Sequence, residues 1–311
     1  KILFFTVITI FLIIDLYCET ALEYANKAKI FFLNKQYGKS IQTFNESLKK
    51  GYKEPWIYEI LAHCYYNLGN EAFAANDFEK TLEYYNTFYT LLKKHKIIKH
   101  NFLANQYDVP LIDVVKQYKA LINKSPKVTF KFFVLFAKNT VVDFLDKNLV
   151  KRNIVNVLKP DQNELNSCNI ALKILARYIK VLSKGEMELE FINSNIILEI
   201  IKLKINFDKI NRKLKSQLVT WDSLKDEQKK LLIKEYKNYD GFIIYWNSKN
   251  IPEAPASIDL PMFTHENGKK ILRPLINIPW NRSRFTEIYL HELFHAFEYK
   301  LNIKPQHGFL K

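Results

Sequence analysis

The chain has 311 residues, of which 48% are hydrophobic. This supply of apolar side chains is enough for folded domains and excludes wholesale disorder. The net charge of +15 comes from lysines spread along the chain rather than from a clustered, arginine-rich stripe, so no nucleic-acid partner is predicted. The locally basic stretch at 93–100 (KKHKIIKH) is interpreted as the solvated end of a helix rather than as a contact for anionic lipid.

Residues 1–18 contain an apolar run that is short for a membrane span and typical of the core of a secretory signal peptide. We therefore expect an exported protein, either secreted or held in the cell envelope. Cys18 leaves a lipid-modified N-terminus open, although the residues before it are not small, and an uncleaved membrane anchor is a further alternative. Cys64 and Cys168 could form one disulfide, but Cys64 lies in a helical pattern, which favours a buried thiol.

Residues 20–95 are predicted to form two pairs of helices. Ala28 and Gly69 are small enough to let paired helices approach, and Phe44 and Tyr85 are large enough to fill the space between them. This pattern resembles tetratricopeptide repeats, with the two registers offset by about seven residues from the usual period of about 34. The resemblance implies a helical repeat module that binds a protein partner or positions a substrate. Two repeats are few for a stable stack, so the following helices are expected to cap it.

Residues 96–222 are predicted to be a helical continuation of these repeats or a spacer. Apolar patterning predicts helices over 108–123, 128–148, 162–183 and 195–217. Asp161 and Glu164 have the spacing of a capping box at the start of the third helix. The sequence GEMELEFI at 185–192 alternates as a strand does and is interpreted as a small hairpin or as a helix start.

The sequence of residues 223–280 predicts a helix followed by two or three strands. The sequence GFIIYW at 241–246 is short and rich in strand-forming residues. The proline-rich segment that follows has room for at most one short strand, around 256–260. The run at 271–279 alternates apolar residues but contains Pro274, which suits an edge strand because proline cannot donate a ladder hydrogen bond.

The sequence HELFH at 291–295 matches the pattern HExxH, and it falls in a stretch without proline or glycine that predicts one helix over 284–301. Residues four apart on a helix lie one above the other, so His291 and His295 point to the same side. Two neutral imidazoles at that separation can hold one Zn²⁺. Glu292 follows the first histidine and lies close enough to take a proton from a water at the metal. The alternative is a surface helix with two solvated histidines.

The sequence HELFHAFEY resembles the active-site helix of zincin metallopeptidases, most closely the gluzincin group. The resemblance covers about the last quarter of the chain. It implies Zn²⁺ as cofactor, His291 and His295 as zinc ligands, and Glu292 as the general base. The order of a helix, two or three strands and the HExxH helix is also that of the zincin core. In that family an edge strand pairs with the extended substrate, and 271–279 is the candidate here, the alternative being an ordinary hairpin over a helix.

The third zinc ligand stays open among three alternatives. Gluzincins take a glutamate from a second helix downstream, but the sequence stops at Lys311, and it begins without Met, so we expect a fragment cut at both ends. His307 lies in a loop after the helix and could fold back onto the metal. Glu298 lies one turn further along the same helix, where it would more naturally orient a ligand. A metzincin is excluded because Leu301 stands where that group has its third histidine.

The sequence as a whole predicts a mostly α-helical protein. Tetratricopeptide-like helices over 20–95 and further helices over 96–222 would precede an α+β zincin-like module over 223–311. The function predicted is that of an exported zinc metallopeptidase acting on a protein or peptide substrate, with the repeats binding a protein partner. The alternatives are a non-enzymatic tetratricopeptide-repeat binding protein and an envelope lipoprotein, each with a degenerate zincin module.

Overall fold

The structure is a computed structural model that describes residues 20–97, 111–145, 151–207, 214–215, 219–235, 237–247, 257–264, 268, 270–280 and 286–300. The signal peptide predicted for 1–18 lies outside these residues. No helix in the described part of the chain is both long enough and apolar enough to cross a membrane. The described residues up to Val115 form one compact unit, and those from Lys116 onward form a second.

The first unit consists of two helical hairpins and the beginning of a fifth helix. Its helices are α1 (Ala21–Leu33), α2 (Tyr37–Lys49), α3 (Pro55–Ala74), α4 (Phe78–His95) and α5 (Leu111–Leu121). Thr20 and Glu23 form a capping box at the start of α1, and the Asp77 side chain accepts a hydrogen bond from the Lys80 amide at the start of α4. Pro55 occupies the first position of α3, where its missing N–H costs nothing.

The two hairpins repeat with a separation of 41 residues, so that Gly69 is equivalent to Ala28 and Tyr85 is equivalent to Phe44. Their turns match as well, because Lys35 and Asn76 both have positive φ at the end of the first helix of each pair. The separation exceeds the usual period of about 34 because α3 has 20 residues whereas α1 has 13. The predicted offset of about seven residues therefore corresponds to about two extra turns at the start of α3.

Gly69 and Tyr85 are in direct contact, as the sequence pattern predicts. A Cβ atom on Gly69 would lie 2.4 Å from Cε1 of the Tyr85 ring, so only glycine leaves room for that ring against α3. The Tyr85 hydroxyl donates a 2.6 Å hydrogen bond to the side-chain oxygen of Asn70. In the first hairpin Ala28 and Phe44 are both fully buried in one apolar cluster. The prediction that small and large residues bring the paired helices together is confirmed.

The second unit is built around a mixed sheet. The strands of this sheet are β1 (Val128–Leu145), β2 (Lys151–Val157), β3 (Met187–Phe207), β4 (Leu214–Lys215), β5 (Gly241–Trp246), β6 (Ser257–Asp259) and β9 (Leu275–Pro279), and a separate hairpin pairs β7 (Met262–Thr264) with β8 (Lys270–Leu272). The strand order is β4-β3-β1-β5-β9-β6, with β2 paired to β1. Strands β3, β1, β5 and β9 run parallel, and β6 runs antiparallel to β9.

Both faces of this sheet are covered. Helices α6 (Gln162–Leu182) and α8 (Thr286–Lys300) lie against one face, whereas α7 (Asp226–Glu235), a short 3₁₀ turn at Trp221–Ser223 and the β7–β8 hairpin lie against the other. Strand β5 is buried along its whole length because its alternate residues enter the two cores. The second unit thus combines helices with a mixed sheet, so the protein is an α+β structure in which helix still exceeds strand among the described residues.

Two of the helices predicted within 96–222 are wrong. Residues 128–145 form β1 and residues 187–207 form β3. Strand β1 is rich in Phe and Val, and β3 is rich in Ile. These residues pack well on a pleated sheet, and β1 has strands on both sides. The helices at 111–121 and 162–182 agree with the prediction, and Asp161 and Glu164 form the predicted capping box. Since β1 pairs with β5, the predicted module boundary at residue 223 falls inside this sheet.

The predicted edge strand at 271–279 is also wrong. Pro274 separates β8 from β9, and β9 lies between β5 and β6, with all five of its residues buried. Proline suits this position because it ends one strand and precedes the next, so it interrupts no ladder. The strand expected around 256–260 is present as β6, and among the described strands it is β6 that ends the sheet on this side. The limit of one strand in this proline-rich segment is wrong, because its last residues, Met262 and Phe263, begin β7.

Candidate functional site

Helix α8 carries the HELFH sequence and packs on α6, β6 and β9. One side of α8 enters the core of the second unit: Tyr289, Leu290, Leu293 and Ala296 are each at most 4% exposed. His291 and His295 are half-buried. Because residues two apart lie about 200° around a helix, Tyr289 and His291 point to nearly opposite sides. The apolar stripe therefore fixes the helix to the sheet and leaves the two histidines at the outer side.

The Nε2 atoms of His291 and His295 lie 3.1 Å apart, and their ring planes are nearly perpendicular. Two nitrogen ligands of a tetrahedral zinc, each about 2.05 Å from the metal, are about 3.3 Å apart. The two imidazoles thus already converge through the same nitrogen at nearly the separation that zinc requires. The donor set also fits, because imidazole nitrogen is a preferred zinc ligand.

Glu292 is the buried member of the motif, with 6% of its surface exposed. Burial raises the pKa of its carboxyl to about 7, and the neighbouring His295 acts in the opposite direction. A carboxyl whose pKa lies near neutrality can both accept and release a proton under physiological conditions. Glu292 lies between His291 and His295 in the sequence. It is therefore within one helical turn of any ion that the two histidines hold.

Tyr289 connects α8 to the sheet through hydrogen bonding. Its hydroxyl donates a 2.8 Å hydrogen bond to the hydroxyl of Tyr245 on β5, and the sulfur of Cys168 on α6 lies 3.9 Å from the same Tyr289 oxygen. Thr286 adds a 3.4 Å bond from its hydroxyl to the carbonyl of Ala171 on α6. Reasoning from the sequence missed this cluster because its members are distant along the chain and none belongs to the motif.

The structure brings three of the predicted site residues together on α8, namely His291, Glu292 and His295. Glu298 belongs to the same helix, but only its backbone is described, and His307 lies outside the described residues. Within the described residues, no three His, Cys, Asp or Glu side chains are grouped so that they could hold a metal ion. Asp259, the acidic residue of β6, instead accepts a hydrogen bond from the Trp221 amide.

Comparison of the chain with protein-family models, with curated proteins and with solved structures found no match.

Proposed function

We propose that this protein is a zinc-dependent metallopeptidase and that His291 and His295 supply two of the metal's ligands. The observation that carries the proposal is the 3.1 Å separation of their Nε2 atoms, because it nearly equals the separation that tetrahedral zinc imposes on two nitrogen ligands. The third ligand would be His307, Glu298 or a residue beyond Lys311. The resemblance of HELFHAFEY to zincin active-site helices supports the same function.

The chain's own residues have distinct roles in the proposed reaction. A bound zinc supplies Lewis acidity, which polarises a peptide carbonyl and lowers the pKa of a water. Glu292 accepts the proton of the attacking water and delivers it to the amine that leaves when the C–N bond breaks. The partial burial of Glu292 favours this shuttle, because a carboxyl with a raised pKa is a better proton acceptor and still gives up the proton near neutral pH. Tyr289 and the apolar stripe of α8 keep the motif at a fixed place beside the sheet.

Strand β6 is the proposed place for the substrate backbone. It ends the described sheet next to β9, and α8 contacts both strands. An extended peptide can add to such an edge through main-chain hydrogen bonds, which orient the peptide without selecting its side chains. This assignment replaces the edge first expected at 271–279, and the resemblance to zincins supports it, since an edge strand in that family serves the same purpose.

The first unit is proposed to act as a tetratricopeptide-like binding module for a protein partner. Its support is the 41-residue repetition of the small-and-large pairs, Ala28 with Phe44 and Gly69 with Tyr85, within two helical hairpins. An exported protein, secreted or attached to the cell envelope, remains the proposed location on the basis of the signal-like sequence at 1–18.

The test is elemental analysis together with a peptidase assay on the full chain. We expect one zinc per chain in the wild type and none in His295→Ala. Glu292→Gln should retain zinc but lose at least about 100-fold in hydrolysis, because it removes the general base and leaves the ligands. The assay would follow a mixture of cellular peptides by mass spectrometry, with a zinc chelator as control. Wild-type protein without zinc would contradict the proposal and favour a non-enzymatic binding protein that acts through the helical hairpins.

A further inference from the structure

Two buried tyrosines lie on the side of α8 opposite the motif histidines. Tyr245 and Tyr289 are fully buried, and their hydroxyl oxygens are 2.8 Å apart. Burial raises the pKa of both phenols well above the ordinary value, so both remain protonated and the Tyr289 hydroxyl can donate at any physiological pH. A buried hydroxyl without a partner would cost about 1–3 kcal/mol, so this bond strongly favours one arrangement of the two side chains.

The side chain of Tyr245 is held in one position because aromatic rings pack around it. Its ring stacks on Phe136 of β1 at a centroid distance of 5.2 Å and meets Trp280, at the end of β9, edge-on at 5.5 Å. The ring of Tyr289 itself is edge-on to Tyr245 at 6.2 Å. Since Tyr245 belongs to a strand with strands on both sides, its hydroxyl marks a defined position in the sheet. A helix residue bonded to it cannot rotate freely about the helix axis.

We propose that Tyr289 is a positioning residue whose hydrogen bond to Tyr245 sets the rotation of α8 about its axis and so fixes where His291 and His295 lie relative to the rest of the metal site. This inference rests on the proposed zinc site. The separation of the two imidazoles is internal to α8, because both belong to the same helix. What the tyrosine pair controls is the placement of that imidazole pair against groups that α8 does not carry. These are the substrate edge and any third ligand that, unlike Glu298, lies on another segment.

A small rotation of α8 about its axis is enough to displace the two imidazoles from a metal site. An imidazole Nε2 lies about 6 Å from the axis of its helix, so a rotation of about 10° moves it by about 1 Å. Metal–ligand distances are held within about 0.2 Å in well-formed sites. A rotation too small to unfold the helix is therefore enough to separate the histidine pair from a ligand on another segment. The apolar side chains of α8 tolerate such a rotation better than a hydrogen bond does, because their contacts have no fixed direction.

The test compares Tyr289→Phe with Thr286→Val in the full chain. Each substitution removes one buried hydroxyl from α8 while keeping the side-chain shape. The Tyr289 hydroxyl bonds to Tyr245 on the sheet and also contacts the Cys168 sulfur on α6, whereas the Thr286 hydroxyl bonds to α6 alone. Zinc affinity would be measured by competition with a chromophoric chelator. We expect Tyr289→Phe to weaken zinc binding about tenfold, roughly 1.4 kcal/mol, and Thr286→Val to change it less than twofold, with similar losses in melting temperature. Equal effects of the two variants, or unchanged affinity in Tyr289→Phe, would overturn the proposal.

Two further measurements complete the test. Tyr245→Phe combined with Tyr289→Phe should weaken zinc binding no more than the single change at Tyr289, because both remove the same bond; additive losses would contradict a shared role. The imidazole NMR signals of the metal-free protein are a readout independent of zinc. Tyr289→Phe should displace the signals of both His291 and His295, whereas Thr286→Val should not. Absence of zinc in the wild type would contradict the proposed function alone, and the NMR result would still decide for or against the positioning role.

Discussion

His291 and His295 approach each other through Nε2, 3.1 Å apart, on the outer side of a helix whose opposite side is bonded to the sheet. The pair is held by local helix geometry, since residues one turn apart lie on the same side of a helix. It is accessible because both histidines are only half-buried. A metal that binds the pair would stabilise the folded second unit, because the unfolded chain does not hold the two imidazoles together.

Zinc should therefore raise the melting temperature of the metal-free protein. At a zinc concentration about 100 times the dissociation constant, the expected stabilisation is about 2.7 kcal/mol. For a unit of this size that corresponds to a shift of roughly 5–10 °C. His295→Ala should abolish the shift, whereas His95→Ala, which alters a histidine of the first unit stacked on Tyr58, should retain it. Differential scanning calorimetry with and without zinc gives the answer, and a shift that survives in His295→Ala would place the metal elsewhere.

Gly69→Ala should destabilise the first unit. The added Cβ would lie 2.4 Å from the Tyr85 ring, and relief requires the ring to leave its fully buried position. Overpacking of this kind costs about 1–3 kcal/mol. Gly38→Ala is the matched control, because Gly38 also lies in a helix but a Cβ added there would have no atom within 4 Å. It should stabilise by about 0.5–1 kcal/mol. Urea unfolding followed by circular dichroism would separate the two, and equal effects would contradict the close contact.

The helical hairpins could be predicted from the sequence because their determinants are local. The Thr20 capping box, the proline at position 55 and the small residue at position 69 each act within a few residues of the helix they shape. The spacing of Gly69 and Tyr85 also reports a contact between neighbouring helices. The same holds for the HELFH helix, where one turn of α-helix brings the two histidines together whatever the rest of the fold is.

Strand β1 and the later part of β3 could not be predicted in the same way, although the alternation at 185–192 already indicated the strand that begins β3. The central residues of β1, Phe132 to Leu135, are all buried because helices and loops cover both faces of the sheet. A continuous apolar run of this kind has no two-residue period, so it cannot be distinguished from a buried helix by patterning alone. The register that makes it a strand comes from β3 and β5, more than 50 and 100 residues away respectively. The bond between Tyr245 and Tyr289 is non-local for the same reason.

Asn277→Leu should destabilise the second unit. Asn277 is fully buried on β9, accepts a 3.3 Å hydrogen bond from the indole N–H of Trp246 and donates a 3.1 Å bond to the Val219 carbonyl. Leucine would leave both buried groups without these partners, at about 1–3 kcal/mol each. Trp246 fluorescence during urea unfolding is the measurement.

The matched control for Asn277→Leu is Asn166→Ala, which breaks an exposed side-chain bond to Gln162 on α6. It should change the free energy of unfolding by less than about 0.5 kcal/mol. If the two variants were equally stable, the buried bonds of Asn277 would contribute nothing net. The main-chain ladder between β5 and β9 and the burial of Trp246 would then account for the joining of the two strands.

Cys64 should make the first unit sensitive to alkaline pH. The thiol is fully buried on α3, and burial raises its pKa from 9.0 to about 12. Because the folded thiol holds its proton more tightly than the unfolded one, its contribution to stability is complete below pH 9 and declines as the pH rises towards 12. The decline between pH 9 and pH 10 is about 1 kcal/mol. Cys64→Ala removes the ionisable group, so its urea midpoint should fall less steeply over this interval than that of the wild type. Parallel slopes would mean that the thiol ionises as easily in the folded protein as in the unfolded chain, and would contradict the raised pKa.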